Sequence, residues 1–436
     1  MKKSAISVGI IGFGTVGTGV AKILLGKEKE LQRRLGFPVL LKRIADTDTK
    51  RDRGIKLPAG LLVKDADAIL NDPEIDIVVE LIGGIHPAKE IILKAISNGK
   101  HVVTANKALI ATEGKGIFDA AEKRRVEVGL EAAVAGSIPV IKIIREALVG
   151  NKIEALFGII NGTSNYILSK MTEEGVDFST ALDDAKALGY AEADPKFDIE
   201  GIDSAHKLAI LLSLSFGAPF SFSKIYTEGI TEVTPLDIQF ASEFGYKIKL
   251  LAIAKLINSE IEARVHPTML TDDSLISNVN GVFNAVYVEG DAIGQALYYG
   301  KGAGEMPTGS AVVSDIVDIA RNIRTGAADR IHGLGMPVNK KLSIRKMEDI
   351  SSCYYLRFSA LDKPGVLSRI SGILGGCNIS IKSVIQKDRK KEKAVPLVMM
   401  THKAREKDIL LALKKINKLS VVSGKTLFIR VEAREE

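Results

Sequence analysis

The sequence feature that most constrains the fold is a glycine-rich turn between an apolar strand and a helix near the amino terminus. Residues 12–17 read Gly-Phe-Gly-Thr-Val-Gly and follow an apolar run over 6–11. In such a turn the first glycine permits a tight bend, the second lets the backbone approach a pyrophosphate, and the third packs helix against strand. The helix then presents its first N–H groups to the anion. The spacing predicts a Rossmann-type parallel sheet whose cofactor-binding turn consists of Gly12, Phe13, Gly14, Thr15, Val16 and Gly17.

The second strand of this sheet is expected to end in the residue that reads the cofactor ribose. Asp46 holds that place, and a carboxylate there favours the free 2′-hydroxyl of NAD. Lys50, Arg51 and Arg53 follow closely, and they either meet the 2′-phosphate of NADP or form a solvated loop. The sequence therefore leaves NAD and NADP both open, with Asp46 and Arg51 as the candidate contacts.

The order of predicted elements changes along the chain. The first third alternates apolar strands with helices, which is typical of a parallel sheet. From about residue 150, strands recur as hairpins around short polar turns, which indicates an α+β region with a mixed or antiparallel sheet. The last part has the βαββαβ order of a ferredoxin-like unit. We predict a dinucleotide-binding domain, a catalytic and dimerisation domain, a linker and a C-terminal domain over 1–135, 136–325, 326–352 and 353–436.

Composition excludes several classes of function. The chain has 60 Lys and Arg against 53 Asp and Glu, a formal net charge of +7 that would suit a nucleic-acid partner. However, residues 353–436 carry +10 and the other 352 residues carry −3, so the excess is confined to the C-terminal domain. The chain has no Trp to stack on bases, and it has no stretch of roughly 18 apolar residues to cross a bilayer. With only two cysteines, we expect a cytoplasmic protein that binds neither nucleic acid nor membrane.

Three further segments, together with the glycine turn, carry a resemblance to a known family. They read HVVTANKAL at 101–109, GIINGTSNY at 158–166 and GYAEADPKFDIEGIDSAHK at 189–207. In this order they resemble homoserine dehydrogenase over residues 1 to about 325. The resemblance implies NAD(P)-dependent interconversion of L-homoserine and L-aspartate 4-semialdehyde, on the route to threonine, methionine and isoleucine. It also implies a homodimer or a higher homo-oligomer.

Asp203 and Lys207 lie one helical turn apart in the third segment. The apolar residues spaced three and four positions after Lys207 put the pair on the stripe that faces inward, whereas an ordinary surface ion pair would lie on the polar side. An enclosed lysine can give a proton to a carbonyl oxygen as hydride arrives at the carbon. The resemblance implies that Lys207 is the proton donor and acceptor and that Asp203 supports it. It places Lys107 where nicotinamide and substrate meet, as a second catalytic lysine that contacts both.

The resemblance implies further binding residues. Glu192 and Asp198 match positions that hold the substrate, and a carboxylate suits the α-ammonium group of homoserine. The segment 131–138 resembles a loop that binds a monovalent cation, here sodium, largely through backbone carbonyls. Its implied ligands are Glu131, Val134, Gly136 and Ile138. The segment GKGAG at 300–304 resembles one that returns to the cofactor, and the implied cofactor contacts outside the glycine turn are Asp46, Arg51, Thr104, Lys107 and Gly302.

The C-terminal domain has a motif of its own. DKPGVL at 362–367 joins its first strand to its first helix, and NISI at 378–381 opens its second strand. With the βαββαβ order, these resemble an ACT domain, and the turn leaves helix-start N–H groups for a carboxylate. The resemblance implies feedback by L-threonine, and an ACT unit kept only for oligomerisation is the alternative. For the whole chain, the alternatives are another NAD(P)-dependent amino-acid dehydrogenase and a nucleotide- and amino-acid-sensing regulator without catalysis.

Overall fold

The computed structural model describes residues 3–219, 222–328, 330–339, 341–387 and 394–432. The chain folds into two compact units, each assembled from three separate stretches of sequence. The first unit comprises Met1–Ile160, Asp203–Ile225 and Phe283–Ser343. The second comprises Asn161–Ile202, Tyr226–Val282 and Ile344–Glu436. Each unit therefore combines stretches that are far apart in the sequence.

The first unit contains a six-stranded parallel sheet in the order β3-β2-β1-β4-β5-β6. Its strands are β1 (Ile6–Ile11), β2 (Val39–Ala45), β3 (Leu62–Val63), β4 (Ile77–Glu80), β5 (His101–Thr104) and β6 (Val128–Gly129). The central strands are continuous apolar runs because helices cover both faces of such a sheet. The connecting helices are α1 (Thr15–Gly26), α2 (Glu28–Leu35), α3 (Asp67–Leu70), α4 (Ala88–Ser97) and α5 (Lys107–Arg124). This order confirms the predicted Rossmann-type domain.

The remainder of the first unit is α+β. Its main elements are α6 (Val140–Lys142), β7 (Ile153–Ile159), α10 (Ile202–Phe216), β11 (Phe283–Gly290), β12 (Gly294–Lys301) and α12 (Glu305–Thr325). β7, β11 and β12 form an antiparallel sheet. α12 packs on α1 through glycine, because a Cβ at Gly19 would lie 2.2 Å from the carbonyl oxygen of Glu305. A short π-helix spans Ile143–Ala147, and 3₁₀ turns span Glu131–Ala133 and Phe222–Lys224.

The second unit begins with helices and a long hairpin. Its elements before the C-terminal region are α7 (Gly162–Glu174), α8 (Phe178–Ala187), α9 (Lys196–Ile199), β8 (Tyr226–Thr227), α11 (Pro235–Glu243), β9 (Tyr246–Ile257) and β10 (Glu260–Thr271). β9 and β10 pair throughout their length around Asn258 and Ser259, which have φ angles of 49° and 68°. Two residues of positive φ are what a tight hairpin turn requires. This hairpin, which closes around a short polar turn, is of the kind predicted for the region after about residue 150.

The C-terminal region has the predicted βαββαβ order. It contains β13 (Ser343–Ile344), β14 (Ser351–Leu361), α13 (Val366–Gly375), β15 (Ile381–Ile385), β16 (Ala394–Thr401), β17 (Ala404–Arg405), α14 (Glu406–Ile416) and β18 (Leu427–Glu432). Further 3₁₀ turns span Ile276–Asn278 and Met347–Asp349. The sheet order is β18-β14-β16-β15, and β18 also pairs in parallel with β10. This sheet therefore continues into the β9–β10 hairpin. Among the described residues, none of the helices has both the length and the hydropathy that a membrane span needs.

Candidate active site

The glycine turn has the geometry that an anion site needs. Gly12 has a φ of +103°, and a Cβ there would lie 2.6 Å from the carbonyl carbon of Leu81. A Cβ at Gly17 would lie 2.2 Å from the oxygen of Gly12, whereas one at Gly14 would meet nothing within 4 Å. Gly14 is the N-cap of α1 and no side chain caps this helix. The surface above Gly14 is therefore open, and the first N–H groups of α1 fit a pyrophosphate.

The loop after β2 is tied back to this turn. Asp46 Oδ2 accepts a hydrogen bond of 2.6 Å from the N–H of Phe13, and Oδ1 lies 3.3 Å from an Arg53 nitrogen. Arg53 Nε donates to the carbonyl oxygen of Phe13, and the guanidinium lies 4.8 Å from the centre of the Phe13 ring. The Arg53 side chain is only 7% exposed, whereas Lys50 and Arg51 are exposed. Of the three basic residues, Arg53 is the one whose described side-chain contacts hold the predicted cofactor turn.

Thr104 and its neighbours order the loops at the carboxyl ends of β4 and β5. The Thr104 hydroxyl donates to Glu80 Oε2 at 2.6 Å and accepts from the N–H of Asn106. Glu80 Oε1 in turn accepts from the N–H groups of Ile82 and Gly83. Thr104 is a predicted cofactor contact, and in the structure its hydroxyl binds Glu80 and the N–H of Asn106. Thr104 is buried and lies shortly before α5, the helix that begins at Lys107.

One buried carboxylate joins the two predicted catalytic lysines. Lys207 Nζ donates to Asp203 Oδ2 and to the carbonyl oxygen of Ile160, both at 2.6 Å. Lys107 Nζ lies 3.0 Å from the other oxygen, Asp203 Oδ1. The exposed fractions of the side chains are 3% for Asp203, 11% for Lys207 and 36% for Lys107. We name these three residues the lysine cluster. In this cluster, the enclosed Lys207 and the more accessible Lys107 both pair with the carboxylate of Asp203.

A histidine that sequence reasoning missed lies beside this cluster. His206 precedes Lys207 on α10, is 7% exposed, and stacks on Phe222 with ring centroids 4.0 Å apart. Burial lowers the pKa of His206, Asp203 opposes that shift, and Lys107 adds to it. The imidazole is therefore kept neutral at neutral pH. In the sequence, His206 is indicated only by its position in the segment 189–207, next to Lys207.

The two predicted substrate carboxylates belong to the second unit. Asp198, on α9, accepts a hydrogen bond of 2.7 Å at Oδ1 from Asn161 Nδ2, and its carbonyl oxygen accepts from Ser164 Oγ at 2.9 Å. Asn161 also caps α7 through the N–H of Ser164. Glu192 is exposed in the turn between α8 and α9. Asn161 thus orients the carboxylate of Asp198. Asn161 lies in the motif at 158–166, but the motif alone does not indicate this contact.

The predicted cation loop has an unusual backbone. Ala135 and Gly136 both have a φ of 57°, which turns consecutive peptide groups in the left-handed conformation. Each Glu131 carboxylate oxygen accepts one N–H at 2.9 Å, from Ile141 and from Lys142. Burial, together with the nearby Asp315, raises the pKa of Glu131 to about 7. No group of three or more described His, Cys, Asp and Glu side chains could hold a metal ion, so a cation here would depend on carbonyl oxygens.

The predicted cation loop also contacts the segment 300–304, which is predicted to return to the cofactor. The N–H and hydroxyl of Ser137 both donate to the carbonyl oxygen of Lys301 at 3.0 Å. A Cβ at Gly136 would lie 2.3 Å from the carbonyl oxygen of Gly302. Close approach of these two backbones requires glycine at 136, in addition to the positive φ there.

A second glycine turn begins the first helix of the C-terminal sheet. Gly365, with a φ of 86°, is the N-cap of α13, and no side chain caps that helix. A cavity of about 200 Å³ lies over this turn, lined by residues 360–367 and by Gln386, Val395 and Leu397. The helix-start N–H groups beside a small cavity can receive a carboxylate.

Comparisons with known proteins agree with one another. Residues 12–131 match the family model for the NAD-binding domain of homoserine dehydrogenase, residues 139–317 match that for homoserine dehydrogenase, and residues 354–421 match the ACT domain. The chain is 46% identical to homoserine dehydrogenase of Neisseria gonorrhoeae, covering 98% of this chain and 99% of that one. It is 48% identical to the enzyme of Pseudomonas aeruginosa, with the same coverage.

Solved structures give the same result. A homoserine dehydrogenase from Thiobacillus denitrificans superimposes with a TM-score of 0.94 at 47% identity, covering 99% of this chain and 100% of that one. A hyperthermophilic archaeal homoserine dehydrogenase in complex with NADPH gives a TM-score of 0.60 at 26% identity, over 72% of this chain and 97% of that one.

Proposed function

The chain belongs to the homoserine dehydrogenase family of NAD(P)-dependent oxidoreductases, and we propose that it interconverts L-homoserine and L-aspartate 4-semialdehyde. The observation that carries this proposal is the lysine cluster, in which Asp203 holds two lysines at once. A dehydrogenase that reduces an aldehyde needs a proton for the oxygen as well as a hydride for the carbon. The lysine cluster supplies a group suited to that proton transfer.

The proposed chemistry divides between cofactor and protein. The bound nicotinamide would exchange a hydride with the carbon that bears the substrate oxygen. Lys207, in its amine form, takes the hydroxyl proton when homoserine is oxidised, and as an ammonium it returns that proton to the carbonyl oxygen in the reverse direction. Its two hydrogen bonds of 2.6 Å fix the position of Nζ. Lys107 places a second positive charge beside the oxygen and stabilises negative charge that develops there.

Two carboxylates are proposed to bind the amino group of the substrate. We assign Asp198 and Glu192 to the α-ammonium group of homoserine, because a carboxylate is the natural partner of an alkylammonium ion. Asn161 supports this assignment for Asp198, since its amide holds one carboxylate oxygen and so orients the other. Lys107 completes the proposed set of substrate contacts.

For the cofactor, we assign the turn Gly12–Gly17, Asp46 and Arg51 to the adenosine and pyrophosphate side. Thr104, Lys107 and Gly302 are assigned to the nicotinamide side. Asp46 at the end of β2 favours NAD, and the exposed Arg51 favours NADP, so the proposal includes both. A sodium ion is proposed at the loop of Glu131, Val134, Gly136 and Ile138, where the left-handed turn redirects backbone carbonyls. Each Glu131 oxygen retains a lone pair for a cation besides the N–H it accepts.

Regulation is assigned to the ACT domain. We propose L-threonine as the feedback effector, bound through its carboxylate at the turn before α13, where the cavity and the uncapped helix start coincide. The enzyme would act in the biosynthesis of threonine, methionine and isoleucine, in the cytoplasm, as a homodimer or higher homo-oligomer. The oligomer matters for this proposal because ACT domains commonly bind amino acids between paired copies.

The test uses the purified full-length chain with L-homoserine and either NAD⁺ or NADP⁺, measured by formation of the reduced cofactor. We expect turnover with at least one cofactor and none with L-serine, which is one methylene shorter. Addition of L-threonine is expected to lower the rate. Turnover of a different amino acid alone would favour another dehydrogenase, and cofactor binding without turnover of any of them would favour a regulator.

A further inference from the structure

A buried arginine of the ACT domain is shared between two carboxylates. Arg430, on β18, is 2% exposed. It donates to Glu406 at the start of α14 through Nη2 at 2.6 Å and through Nε at 3.0 Å. Its Nη1 donates to Glu228 Oε2 at 2.8 Å, and Tyr226 reaches the same Glu228 oxygen through its hydroxyl at 2.8 Å. We name Arg430, Glu406 and Glu228 the arginine cluster. It links the regulatory sheet to a short segment of the catalytic part of the chain.

That segment, residues 226–230, lies directly on α9. A Cβ at Gly229 would come within 2.4 Å of the carbonyl oxygen of Ile199, so the two backbones are in close contact. The N–H of Ile230 donates to the same oxygen at 2.8 Å, and the N–H of Glu228 donates to Val265 on β10. Since Gly229 offers no side chain to adjust, any shift of Glu228 changes the backbone contact with α9.

α9 carries Asp198, the carboxylate assigned to the substrate's ammonium group. Asp198 immediately precedes Ile199, and its own orientation depends on the 2.7 Å hydrogen bond from Asn161. A continuous series of contacts therefore runs from Arg430 through Glu228 and Ile230 to the residue after Asp198. The lysine cluster is held by different bonds, to Ile160 and within itself.

From these contacts we propose that Arg430 and Glu228 are positioning residues for Asp198, through which the state of the ACT sheet sets the affinity for homoserine. The proposal rests on the substrate role assigned to Asp198 above. The Arg430–Glu228 ion pair holds segment 226–230 in contact with α9. This contact keeps Asp198 in position to bind the ammonium group of homoserine. Loss of the pair lets α9 shift. Homoserine binding then weakens, while Lys207 keeps its position and its proton chemistry.

The expected signature is a change in KM without a matching change in kcat. Glu228→Ala should raise the KM for L-homoserine about tenfold, because a displacement near 1 Å can cost up to about 100-fold. We expect kcat to stay within about threefold of wild type and the KM for NAD(P)⁺ to stay unchanged. Glu228→Gln retains a hydrogen-bond acceptor for Arg430 and should recover part of the affinity. Glu228 is a third exposed, so these variants are expected to fold.

A matched control is available in the same region. Arg357 on β14 pairs with the buried Asp237 on α11 at 2.5 and 3.0 Å, and this second ion pair also joins the ACT sheet to the catalytic part of the chain. It has no hydrogen bond to segment 226–230 among the described contacts. Arg357→Ala should therefore lower the melting temperature without raising the KM for homoserine. In the double variant Glu228→Ala with Arg430→Ala, the KM should match that of Glu228→Ala alone, because the Arg430–Glu228 pair is already broken in the single variant. The double variant also loses the Arg430–Glu406 pair, and that loss should lower the stability and not the affinity.

The outcomes separate this inference from the proposed function. If Asp198→Ala leaves the KM for homoserine unchanged, the substrate role of Asp198 is wrong and the inference fails with it. If Asp198→Ala raises the KM but Glu228→Ala raises it no more than Arg357→Ala does, only the positioning role is overturned. A parallel loss of kcat and cofactor affinity in Glu228→Ala would also overturn it, since that pattern indicates general loosening of the fold.

Discussion

The lysine cluster of the first unit and the arginine cluster of the second are built on opposite plans. In the first, the carboxylate of Asp203 is shared by two ammonium groups, and in the second, the guanidinium of Arg430 is shared by two carboxylates. Both central groups are almost completely buried, at 3% and 2% exposure. The difference lies in what the cations can do. A lysine can release and regain a proton near neutral pH when its surroundings permit, whereas an arginine stays protonated and offers a rigid fork of donors.

This difference between lysine and arginine indicates that the two clusters have different functions, although the central group of each is buried. Lysine and carboxylate together form a group that can move a proton, which a dehydrogenase requires. Arginine and carboxylates together form a joint that keeps its charge state, and we propose that this joint transmits position. The following changes exchange or remove the features that distinguish the two clusters.

The largest effect is expected when an arginine replaces Lys207 in the lysine cluster. Lys207→Arg keeps a positive charge beside Asp203 but cannot act as a base, so kcat should fall by about 10²–10⁴-fold. Lys207→Ala should show a loss of the same order. Cofactor affinity, measured by fluorescence titration of NAD(P)H, should stay near that of wild type in both variants. If Lys207→Arg retained most of the wild-type kcat, Lys207 would be a charge and not a proton carrier.

Removal of the shared anion is expected to have a smaller effect on turnover. Asp203→Asn keeps the shape of the side chain but no longer attracts Lys207 and Lys107 as a charge. We expect kcat to fall about 10- to 100-fold, less than for Lys207→Ala, because the carbonyl oxygen of Ile160 still holds Lys207. Steady-state rates with saturating homoserine provide the measurement. A loss larger than that of Lys207→Ala would contradict the supporting role of Asp203.

Breaking the arginine cluster is expected to act on stability. Arg430→Met leaves Glu406 and Glu228 without their shared partner, and removal of one member of a buried ion pair costs about 3–5 kcal/mol. Chemical denaturation should show this loss in the free energy of unfolding. Adding Glu406→Gln in the Arg430→Met background should recover part of it, because a neutral amide replaces the stranded charge. Equal stability of Arg430→Met and wild type would show that the cluster is not a structural joint.

The smallest effect concerns a third buried basic residue, Lys249, which donates hydrogen bonds to neutral oxygens. Lys249 Nζ donates to the carbonyl oxygen of Val279 at 2.7 Å and to the side-chain oxygen of Asn280 at 2.8 Å. Burial lowers the pKa of Lys249 to about 7 from an ordinary value of 10.5. Between these two values the unfolded chain binds a proton at this site that the folded chain does not, so the stability contribution rises with pH and is lost as pH falls through about 7.

This dependence can be isolated by difference. Relative to Lys249→Met, the free energy of unfolding of the wild type should increase by at most about 1.4 kcal/mol per pH unit above pH 7. Denaturation of both proteins at several pH values gives the difference, and groups common to both cancel. Parallel pH profiles would mean that Lys249 remains charged in the folded protein.

Sequence reasoning succeeded where a feature depends on neighbours along the chain. The glycine turn with Gly12 and Gly17, the hairpin at Asn258 and the βαββαβ order were all predictable because backbone geometry over a few residues determines them. The Asp203–Lys207 pair was likewise recognisable, since a spacing of four places two side chains on one helix face.

Sequence reasoning failed where partners are distant. Arg430 and Glu228 are 202 positions apart, and no local pattern indicates that β18 pairs with β10. The inward position of Arg53 also depends on the tertiary contact with Phe13. Such pairings are decided by packing of the whole unit, so only the structure shows them.

The distance between Lys207 Nζ and the substrate oxygen decides whether Lys207 can transfer the proton. A crystal structure of the full-length chain with cofactor and L-homoserine would measure it. We predict that the hydroxyl oxygen lies within about 2.6–3.2 Å of Lys207 Nζ, with Asp203 still bound to both lysines. A hydroxyl oxygen outside hydrogen-bonding reach of both Lys207 and Lys107, in a complex whose reacting carbon faces the nicotinamide, would contradict the proposed mechanism.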